Sequence, residues 1–367
     1  MRIVFFINKS NGFPAGMISY MEEHFPDQEM EFYTVDRRCE ERLSDLPNVR
    51  RIHSYRQFLF DSDLIRHVRQ ADKIIVSGVF TLQYVLPIYG SSVLRKTWWQ
   101  FWGGDYEDLQ RDGRKINWKN RINEKVLAHN LKLAGGIILL TRPERSIFLG
   151  IFPFAEQKPM YYVPVPDSKE KDELVQGIMV ESNVVRSEGG APDQAGDTTK
   201  TRVVLGNSAT DSNRHLAVFD MLKHLKTEGV ELCCPLSYGN AEYRQKVIER
   251  GTELFGESFH PITEYMSFEE YIRFLCSCSV GIYYNNRQQA LGNINRILSM
   301  GKKVFLPEIL RAYYEEYGFI TFRSEDLAEY SMEELLYFSE QDRQHNLECV
   351  IRQKEAMERI WAEIIEG

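Results

Sequence analysis

The amino-acid sequence predicts an α/β protein with two Rossmann-like domains that face each other across a cleft. Short apolar strands alternate with helical segments from the start of the chain, a pattern typical of parallel sheets covered by helices on both faces. The pattern stops in a charged segment at residues 167–200 and restarts at Thr201. The length of 367 residues also suits a chain of two domains.

The first predicted domain covers residues 1–166. It opens with a strand in MRIVFFI, continues through the loop NKSNGFPAG and enters a helix near Met17. β-branched and aromatic runs predict further strands. These runs lie at 31–35, 73–80, 97–103, 135–141 and 161–165. Helical periodicity between several of them, for example at 62–70, completes a β/α alternation.

Residues 167–200 are charged, free of aromatic residues and rich in Gly, Ser and Asp, which predicts a flexible linker. A second domain is predicted over 201–331. Its strands are expected at 201–208, 230–239, 258–262, 279–284 and 302–307, and its helices at 213–227, 240–251, 267–278 and 292–300. Residues 332–367 are predicted as a charged helical tail that packs back on the first domain.

Composition excludes several classes of function. The net charge of −8 argues against a general nucleic-acid binder. Residues 1–165 nevertheless contain 23 lysines and arginines against 19 acidic residues, so the first domain suits an anionic surface. No apolar run is long enough for a membrane span or a secretory signal, which predicts a cytoplasmic location. The six cysteines lack CxxC spacing and are expected to be reduced core residues.

The loop GNSATDSN at 206–213 follows an apolar strand and precedes a helix. Small residues at a strand end expose backbone N–H groups, and the helix N-terminus adds a positive dipole, so the loop suits a phosphate. The alternative is an ordinary turn in which Ser212 or Asn213 is the helix N-cap. The candidate phosphate-binding residues are Gly206, Asn207, Ser208, Ser212 and Asn213.

A second strand–loop–helix junction, YYNNRQQALGNIN at 283–295, has the same character. Gly292 lets a ligand approach the helix N-terminus, and Arg287 supplies a planar donor fork for a diphosphate. The alternative is a solvated loop with Tyr283 in the core. The candidate donor-binding residues here are Tyr283, Gln288, Gln289, Gly292, Asn293 and Asn295, with Arg287 as a candidate catalytic residue.

In the first domain an aromatic strand ends in Gly103, Gly104 and Asp105. The two glycines permit tight backbone geometry, and a carboxylate that projects into the cleft can deprotonate an acceptor hydroxyl. Asp105 is therefore the candidate catalytic base. The alternative is that Asp105 only caps the next helix.

The segment 111–132 contains seven basic and two acidic residues interleaved with apolar ones. A basic amphipathic helix that carries a tryptophan can lie on an anionic membrane, although packing of its apolar side on the sheet is an equal alternative. The candidate acceptor or membrane residues are Gly103, Gly104, Lys115, Trp118, Lys119 and Arg121.

Two other features carry less weight. Asp61-Ser62-Asp63 has the spacing of a metal–diphosphate motif, but it opens the predicted helix at 62–70, where acidic residues favour the helix dipole. No metal is therefore expected there. The histidines are scattered, and His53 and His215 are only possible cleft residues.

The chain resembles the TDP-N-acetylfucosamine:lipid II N-acetylfucosaminyltransferase family, also called 4-acetamido-4,6-dideoxygalactosyltransferases or glycosyltransferase family 56. The matching stretches lie in both predicted domains, at 98–109 (WWQFWGGDYEDL), 203–216 (VVLGNSATDSNRHL), 235–247 (PLSYGNAEYRQKV) and 268–306. The resemblance implies a GT-B fold, a TDP-amino-deoxysugar donor, an undecaprenyl-diphosphate-linked acceptor and peripheral attachment to the inner face of the cell membrane.

Given the resemblance, the donor diphosphate is expected between the loop 206–213 and the loop 287–293, with the thymine near Tyr238 and Gly239. No cofactor is expected, because Arg287 and fixed N–H groups can stabilise the leaving diphosphate without a metal. Many retaining GT-B enzymes carry a glutamate five residues before a closing glycine, and here that position is Arg296. A nucleotide-sugar 2-epimerase of the same fold and a non-catalytic membrane-associated scaffold are the alternative functions.

Overall fold

The computed structural model describes residues 1–7, 13–34, 48–79, 81–106, 109, 117–187 and 201–367. The chain forms two compact units. Unit 1 consists of Met1–Asp172 and Met357–Gly367, and unit 2 consists of Glu173–Ala356. None of the helices in the described ranges is long and apolar enough to cross a membrane.

Unit 1 contains a seven-stranded parallel sheet. Its strands in chain order are β1 (Arg2–Ile7), β2 (Glu29–Thr34), β3 (Val49–Arg51), β4 (Lys73–Ser77), β5 (Thr97–Gln100), β6 (Gly136–Leu139) and β7 (Met160–Tyr162). They are arranged as β3-β2-β1-β4-β5-β6-β7, with β1 between β2 and β4. Its helices are α1 (Phe13–His24), α2 (Gln57–Phe60), α3 (Ser62–Gln70), α4 (Leu82–Val85), α5 (Ser91–Arg95), α6 (Trp118–Leu133) and α7 (Glu144–Ile151).

Both faces of this sheet are covered, which explains its nearly continuous apolar strands. Val4 and Phe6 of β1 belong to one buried cluster, and Ile3 and Phe5 belong to another on the opposite face. The second cluster includes Trp361 near the end of the chain. The last residues of the charged tail therefore complete the core of unit 1.

The segment predicted as a flexible linker contains a regular helix, α8 (Lys169–Ser187). Val175 and Ile178 of this helix are each only 1% exposed. Their spacing of three residues puts them on the same side of the helix, so burial of an apolar stripe explains why a charged segment is helical. Residues 188–200, the rest of the predicted linker, lie outside the described residues.

Unit 2 contains a six-stranded parallel sheet. Its strands are β8 (Thr201–Leu205), β9 (Val230–Pro235), β10 (Phe259–Ile262), β11 (Cys278–Ile282), β12 (Lys303–Leu306) and β13 (Phe322–Arg323). They are arranged as β10-β9-β8-β11-β12-β13. Its helices are α9 (His215–Leu222), α10 (Ala241–Phe255), α11 (Phe268–Ser277), α12 (Leu291–Ser299), α13 (Glu308–Glu315) and α14 (Met332–Leu336), and α15 (Glu340–Glu366) begins in this unit and ends in unit 1.

Several predicted strands are longer than the observed ones. The strand predicted at 97–103 ends at Gln100, because Gly103 adopts a φ of 80° and turns the chain. The strand predicted at 230–239 ends at Pro235, and the loop that follows reaches Gly239 at a φ of 120°. The strands β3 and β13 and the helix α13 were not predicted. The five described cysteines are buried and form no disulfide with one another, as expected, and Cys39 lies outside the described residues.

Candidate active site

The candidate donor site lies in unit 2, where neighbouring parallel strands end. The chain runs from β8 outward through β9 to β10 on one side, and then crosses to β11 on the other side of β8. Open parallel sheets bind ligands outside the carboxyl ends of the strands at such a switch point. The predicted loops at 206–213 and 287–293 follow β8 and β11, so the sheet brings both to this edge.

Gly206 begins the first loop with a left-handed φ of 67°. A Cβ atom at this position would lie 2.5 Å from Nε2 of His215 and 2.9 Å from Oδ1 of Asn213. The backbone passes so close to the start of α9 that only glycine fits. His215 is 1% exposed, and burial lowers its pKa to about 4, so the ring under the loop is neutral at pH 7.

Asn213 shapes this loop from the inside. Its Oδ1 accepts a hydrogen bond from the backbone N–H of Asn207 at 3.1 Å, and its Nδ2 donates to the carbonyl oxygen of Ser208 at 3.0 Å. The same Nδ2 atom donates to Oγ1 of Thr210 at 2.8 Å. The side chain is only 1% exposed, so it fixes the curvature of the loop and is itself covered by it.

The alternative in which Ser212 or Asn213 is the N-cap of the following helix is wrong. The N-cap residue of α9 is Arg214, and it makes no side-chain capping bond. Arg214 has a left-handed φ of 53°, which is strained for a residue with a side chain. Its guanidinium lies 4.2 Å from the ring centroid of Tyr284, a cation–π contact between the two loops.

Gln289 joins the two predicted phosphate loops directly. Its Oε1 accepts from Oγ of Ser212 at 2.6 Å, and its Nε2 donates to Oδ1 of Asn207 at 3.2 Å. Arg287 donates from Nε to the same Oε1 atom at 3.3 Å. Six of the predicted donor-site residues, among them Ser208, Asn213 and Tyr238, therefore belong to one hydrogen-bonded network with Arg287 beside it.

A third loop, after β9, completes this edge. Tyr238 accepts at its hydroxyl from Nδ2 of Asn207 at 3.0 Å, and its carbonyl oxygen accepts from the N–H of Ala209 at 2.8 Å. A Cβ atom on Gly239 would lie 2.4 Å from the carbonyl oxygen of Ala209. The close approach of the two backbones thus requires glycine at position 239 and brings Tyr238 against the first loop.

The start of α12 is open to a ligand. A Cβ atom on Gly292 would meet nothing within 4 Å, and Ala290 just before the helix has a strained φ of 64°. Gln288 and Asn293 are partly exposed at this end. Asn295 instead accepts from the Tyr314 hydroxyl at 2.8 Å, so it packs against α13.

Sequence reasoning missed Asn285 as a site residue. It is 1% exposed, and neither atom of its amide has a hydrogen-bond partner in the described part of the chain. Buried amides are normally paired, so this one stands out. The available signal was an asparagine directly after the predicted strand at 279–284, as Asn207 follows an apolar run in the first loop. The sequence did not show that Asn285 is buried.

In unit 1 the predicted base Asp105 lies in a tight turn. Its Oδ2 accepts from the backbone N–H of Trp102 at 2.7 Å, and the turn is closed by a bond from the N–H of Tyr106 to the carbonyl oxygen of Gly103 at 3.2 Å. A Cβ atom on Gly104 would meet nothing within 4 Å. Asp105 therefore stabilises its own turn and does not cap a helix in the described residues.

A second carboxyl group, Glu144, lies near Asp105 and was not predicted. Its Oε1 accepts from the Tyr106 hydroxyl at 2.8 Å, and its Oε2 accepts from the N–H of Thr141 at 2.9 Å. Burial raises the pKa of Glu144, and the negative charge of Asp105 raises it further. The signal for its position was the helix-start pattern Thr-x-x-Glu at 141–144.

The predicted basic helix is α6, and it begins at Trp118 with Asn117 as its N-cap. Trp118 is 69% exposed, and Nζ of Lys119 lies 5.8 Å from its ring centroid. Arg121 is also exposed. Lys115 lies outside the described residues. The helix also has a buried side, formed by Leu127 and Leu131, as the packing alternative predicts.

The acidic pair at 61–63 has structural partners. Oδ1 of Asp61 accepts from the backbone N–H groups of Asp63 and Leu64, which makes Asp61 the N-cap of α3. Asp63 forms an ion pair with Arg66 at 2.7 Å. His53 is exposed, whereas His215 is buried under the first loop.

Comparison with known proteins supports the resemblance to a known family. The sequence model described as 4-alpha-L-fucosyltransferase, glycosyl transferase group 56, matches residues 154–311. This match confirms the resemblance to family 56, and it includes both loops of the candidate donor site. The protein is a glycosyltransferase.

Solved structures support the same fold. The glycosyltransferase resembles HepE of Anabaena in complex with UDP and glucose, with a TM-score of 0.68, 12% identity and coverage of 100% of both chains. A glycosyltransferase from Rickettsia africae gives a TM-score of 0.66 and 12% identity over 99% of this chain and 97% of that one. Sucrose-phosphate synthase from Thermosynechococcus elongatus gives 0.66 and 11% over 100% and 98%. These likenesses confirm the predicted GT-B class of two parallel-sheet α/β domains.

Proposed function

We propose that this glycosyltransferase moves an amino-deoxysugar, 4-acetamido-4,6-dideoxygalactose or a close relative, from a TDP-sugar to an undecaprenyl-diphosphate-linked saccharide at the cytoplasmic face of the cell membrane. The observation that carries the proposal is the joining of the loops 206–213 and 287–293 through Gln289 at a switch point of the sheet. The match to family 56 supports the choice of sugar and acceptor. The UDP and glucose named for HepE support the class of nucleotide-sugar donor.

In this reaction the acceptor hydroxyl oxygen bonds to the anomeric carbon of the sugar. The bond between that carbon and the phosphate oxygen breaks, and its electron pair leaves with TDP. Arg287 and the backbone N–H groups at the starts of α9 and α12 stabilise the negative charge that grows on the diphosphate. Asp105 takes the proton of the acceptor hydroxyl.

The membrane part of the proposal is supported by an exposed apolar surface on unit 1. Its side chains come from α2, the turn Leu86–Tyr89, α4 and α6, which adjoin one another. The Tyr89 hydroxyl donates to the carbonyl oxygen of Phe58, and the Tyr84 hydroxyl donates to Oδ1 of Asn123. The most exposed members are Phe60 (79%), Trp118 (69%), Ile88 (54%), Leu59 (49%) and Ile122 (46%).

Charge favours an anionic lipid surface as the partner of this apolar surface. The helix α6 contains four lysines and arginines and one glutamate. On α3, which packs against α2, the carboxylate of Asp63 is paired with Arg66 and Arg50. Apolar side chains ringed by basic ones bind the headgroup region of anionic bilayers, whereas a purely apolar patch would suit a protein partner as well.

A thermal-shift panel with TDP, UDP, GDP and ADP, each with and without magnesium, tests the donor. A nucleotide present at about 100 times its dissociation constant adds about 2.7 kcal/mol to the apparent stability. Selective stabilisation by TDP without magnesium is expected. Preference for UDP would change the donor and favour the 2-epimerase, which needs no acceptor lipid. No response to any nucleotide would favour the non-catalytic scaffold.

Vesicle cosedimentation tests the membrane surface. The unaltered protein is expected to bind vesicles with phosphatidylglycerol and to bind pure phosphatidylcholine vesicles at least ~10-fold more weakly, because basic residues contribute about 1 kcal/mol each at an anionic surface. The pair Phe60→Ser and Trp118→Ser should abolish sedimentation. Tyr265→Ser is the matched control, since Tyr265 is 85% exposed but lies in unit 2. An equal loss of vesicle binding in the Tyr265→Ser control would contradict a membrane role for this surface. Binding to a protein partner but not to vesicles would contradict it as well.

A further inference from the structure

Arg214 occupies a position that disfavours an arginine. It is the N-cap residue of α9, and in the described ranges only Arg214 and Ala290 combine a side chain with a positive φ. A left-handed backbone is destabilising for any residue with a Cβ atom. A cation at a helix N-terminus also faces the positive end of the helix dipole. The guanidinium of Arg214 forms neither a hydrogen bond nor an ion pair with any residue that the structure describes.

The guanidinium of Arg214 lies instead on the ring of Tyr284, 4.2 Å from the ring centroid. Tyr284 belongs to the loop after β11, so this contact is made between the two phosphate loops. A guanidinium stacks through its flat face, whereas its N–H groups point outward in its plane. Stacking therefore fixes the position of the group and leaves its five N–H donors available. This arrangement suits an anion with several oxygen atoms.

Hydrogen bonds between the loops put the stacked pair beside the candidate diphosphate site. The carbonyl oxygen of Ser212 accepts from the N–H of Asn286 at 3.1 Å, and Oγ of Ser212 donates to Oε1 of Gln289 at 2.6 Å. The same Oε1 atom accepts from Arg287 at 3.3 Å. Arg214 lies two residues after Ser212, and Arg287 lies two residues before Gln289. Both arginines therefore lie close to the bond that joins the loops.

We propose that Arg214 is a second arginine that binds the diphosphate of the donor, at its β-phosphate. The inference rests on the proposed function, because it assumes a nucleotide whose diphosphate lies at the loops 206–213 and 287–293. A bound anion offsets the unfavourable position of Arg214, since it neutralises the guanidinium and complements the dipole of α9.

The charge of the reaction also requires more than one cation. The diphosphate of a nucleotide-sugar carries two negative charges. A third develops when the bond between the anomeric carbon and the β-phosphate oxygen breaks. Arg287 alone supplies one positive charge, whereas two arginines and two helix N-termini match the charge of the departing TDP. Arg214 thus supplies part of the compensation that a metal ion gives in other phosphate sites.

The order of the strands supports a contact with the β-phosphate. The base is expected near Tyr238, in the loop after β9, whereas Tyr284 follows β11. The strand β8 lies between β9 and β11. A nucleotide that extends from Tyr238 across the end of β8 has its α-phosphate on the β9 side and its β-phosphate on the β11 side. Arg214, stacked on Tyr284, lies on the β11 side.

Calorimetric titration of the full chain with TDP, TMP and inorganic pyrophosphate tests the proposal. We expect Arg214→Ala to bind TDP and pyrophosphate about 10–100-fold more weakly, the effect of losing charge-assisted hydrogen bonds. TMP has no β-phosphate, so its affinity should not change. Lys223→Ala is the matched control, because it removes one positive charge at the other end of α9, where Lys223 is paired with Asp220. The control should bind all three ligands like the unaltered protein.

Tyr284→Leu tests the stacking. Leucine keeps an apolar side chain and removes the ring face that holds the guanidinium. TDP affinity should fall by about 3-fold, as expected for the loss of an exposed cation–π contact. Because Tyr284 acts through Arg214, the double variant should bind TDP no more weakly than Arg214→Ala alone. Additive losses would contradict this positioning role.

Thermal unfolding of the free proteins separates binding from structure. Glycine adopts a left-handed φ without strain, so Arg214→Gly should leave the midpoint equal or higher while TDP affinity falls as in Arg214→Ala. Ala290→Gly relieves the same kind of strain at the other position and should likewise leave the midpoint equal or higher. A lower midpoint in Arg214→Gly alone would show that the arginine side chain stabilises the fold.

The three ligands also distinguish the ways in which the inference can fail. Unchanged TDP and pyrophosphate affinity in Arg214→Ala would show that the arginine only stacks on Tyr284. An equal loss of TMP affinity would show that the variant disturbs the whole loop. Both results would overturn the role of Arg214 and leave the donor site intact. If the unaltered protein bound neither pyrophosphate nor any nucleotide, the proposed function would fail, and the role of Arg214 with it.

Discussion

The two units place glycine at comparable strand ends, but for different reasons. In unit 2, Gly206 and Gly239 are required by contact, since a Cβ atom would lie 2.5 Å from His215 or 2.4 Å from Ala209. In unit 1, a Cβ atom on Gly104 would meet nothing within 4 Å. The donor loops are thus locked into a network that spans three strand ends, whereas the turn at Asp105 is held by local bonds.

This difference bears on how firmly each part of the site is specified. A locked network keeps donors in place before a ligand arrives, which is how a diphosphate is stabilised without reorganisation. A local turn places one carboxylate, and its reactivity then depends on neighbours such as Glu144. Unit 1 is therefore expected to supply chemistry through one residue, and unit 2 through a network.

The largest effect is expected for Asp105→Asn. The amide oxygen can still accept from the N–H of Trp102, so the turn is kept, but the side chain no longer takes a proton. Turnover should fall by about 10²–10⁴-fold with little change in the unfolding midpoint. Steady-state kinetics with a lipid-linked acceptor gives the measurement. Glu156→Gln is the control, because Glu156 is an exposed carboxylate of unit 1 paired with Arg145. Turnover within twofold of the unaltered enzyme would show that Asp105 is not the catalytic base and only stabilises its turn.

Arg287→Ala should reduce turnover by about 10²–10³-fold, the loss typical of removing one preorganised donor to a developing negative charge. Stability should change little, because Arg287 is partly exposed. The comparison variant is Arg250→Ala, which removes surface ion pairs with Asp220 and Glu253 in the same unit. If both variants turn over like the unaltered enzyme, Arg287 has no part in the reaction.

Protonation of His215 should weaken unit 2 in mild acid. Burial lowers the folded-state pKa to about 4, below the unfolded value of 6.5. The neutral ring therefore contributes its full stability above pH 6.5, and this contribution is lost as the pH falls toward 4. By pH 5 the loss should reach about 2 kcal/mol.

Denaturant unfolding from pH 7 to pH 5, compared between the unaltered protein and His215→Gln, measures this term. Carboxylates titrate alike in both proteins and cancel in the difference. A parallel pH dependence in the two would show that His215 is not held neutral under Gly206.

The sequence predicted those parts of the fold that depend on local pattern. The strands β1, β4, β8 and β11 are buried on both faces and appear as apolar runs. The edge strand β3 was missed because its three residues are only half-buried. The helix α8 was missed because charged residues hide the apolar pair Val175 and Ile178, and its stability depends on burial that the sequence does not display.

The site was predicted by position but not by role. Strand ends followed by small and polar residues identified both donor loops. The bridging role of Gln289 depends on contact with Ser212, which lies 77 residues away in sequence, and the inward side chain of Asn213 depends on how the loop curls. Such roles depend on tertiary contacts between residues that are distant in sequence. Secondary-structure propensity and motif spacing do not predict these contacts.

The most direct test of the contrast between the units, which includes the smallest expected effect, comes from one substitution made twice. Gly206→Ala adds a methyl group in a left-handed conformation against the His215 ring and should cost about 1–3 kcal/mol of unfolding free energy together with nucleotide affinity. Gly104→Ala adds the same methyl group in open space and should change the unfolding free energy by less than about 0.5 kcal/mol. Denaturant unfolding and nucleotide titration of the two variants measure both quantities.

Equal, small effects would mean that the first donor loop moves easily to make room for a methyl group. The hydrogen-bonded network would then not be a preformed site. Equal, large effects would mean that the turn at Asp105 is as tightly specified as the donor loops.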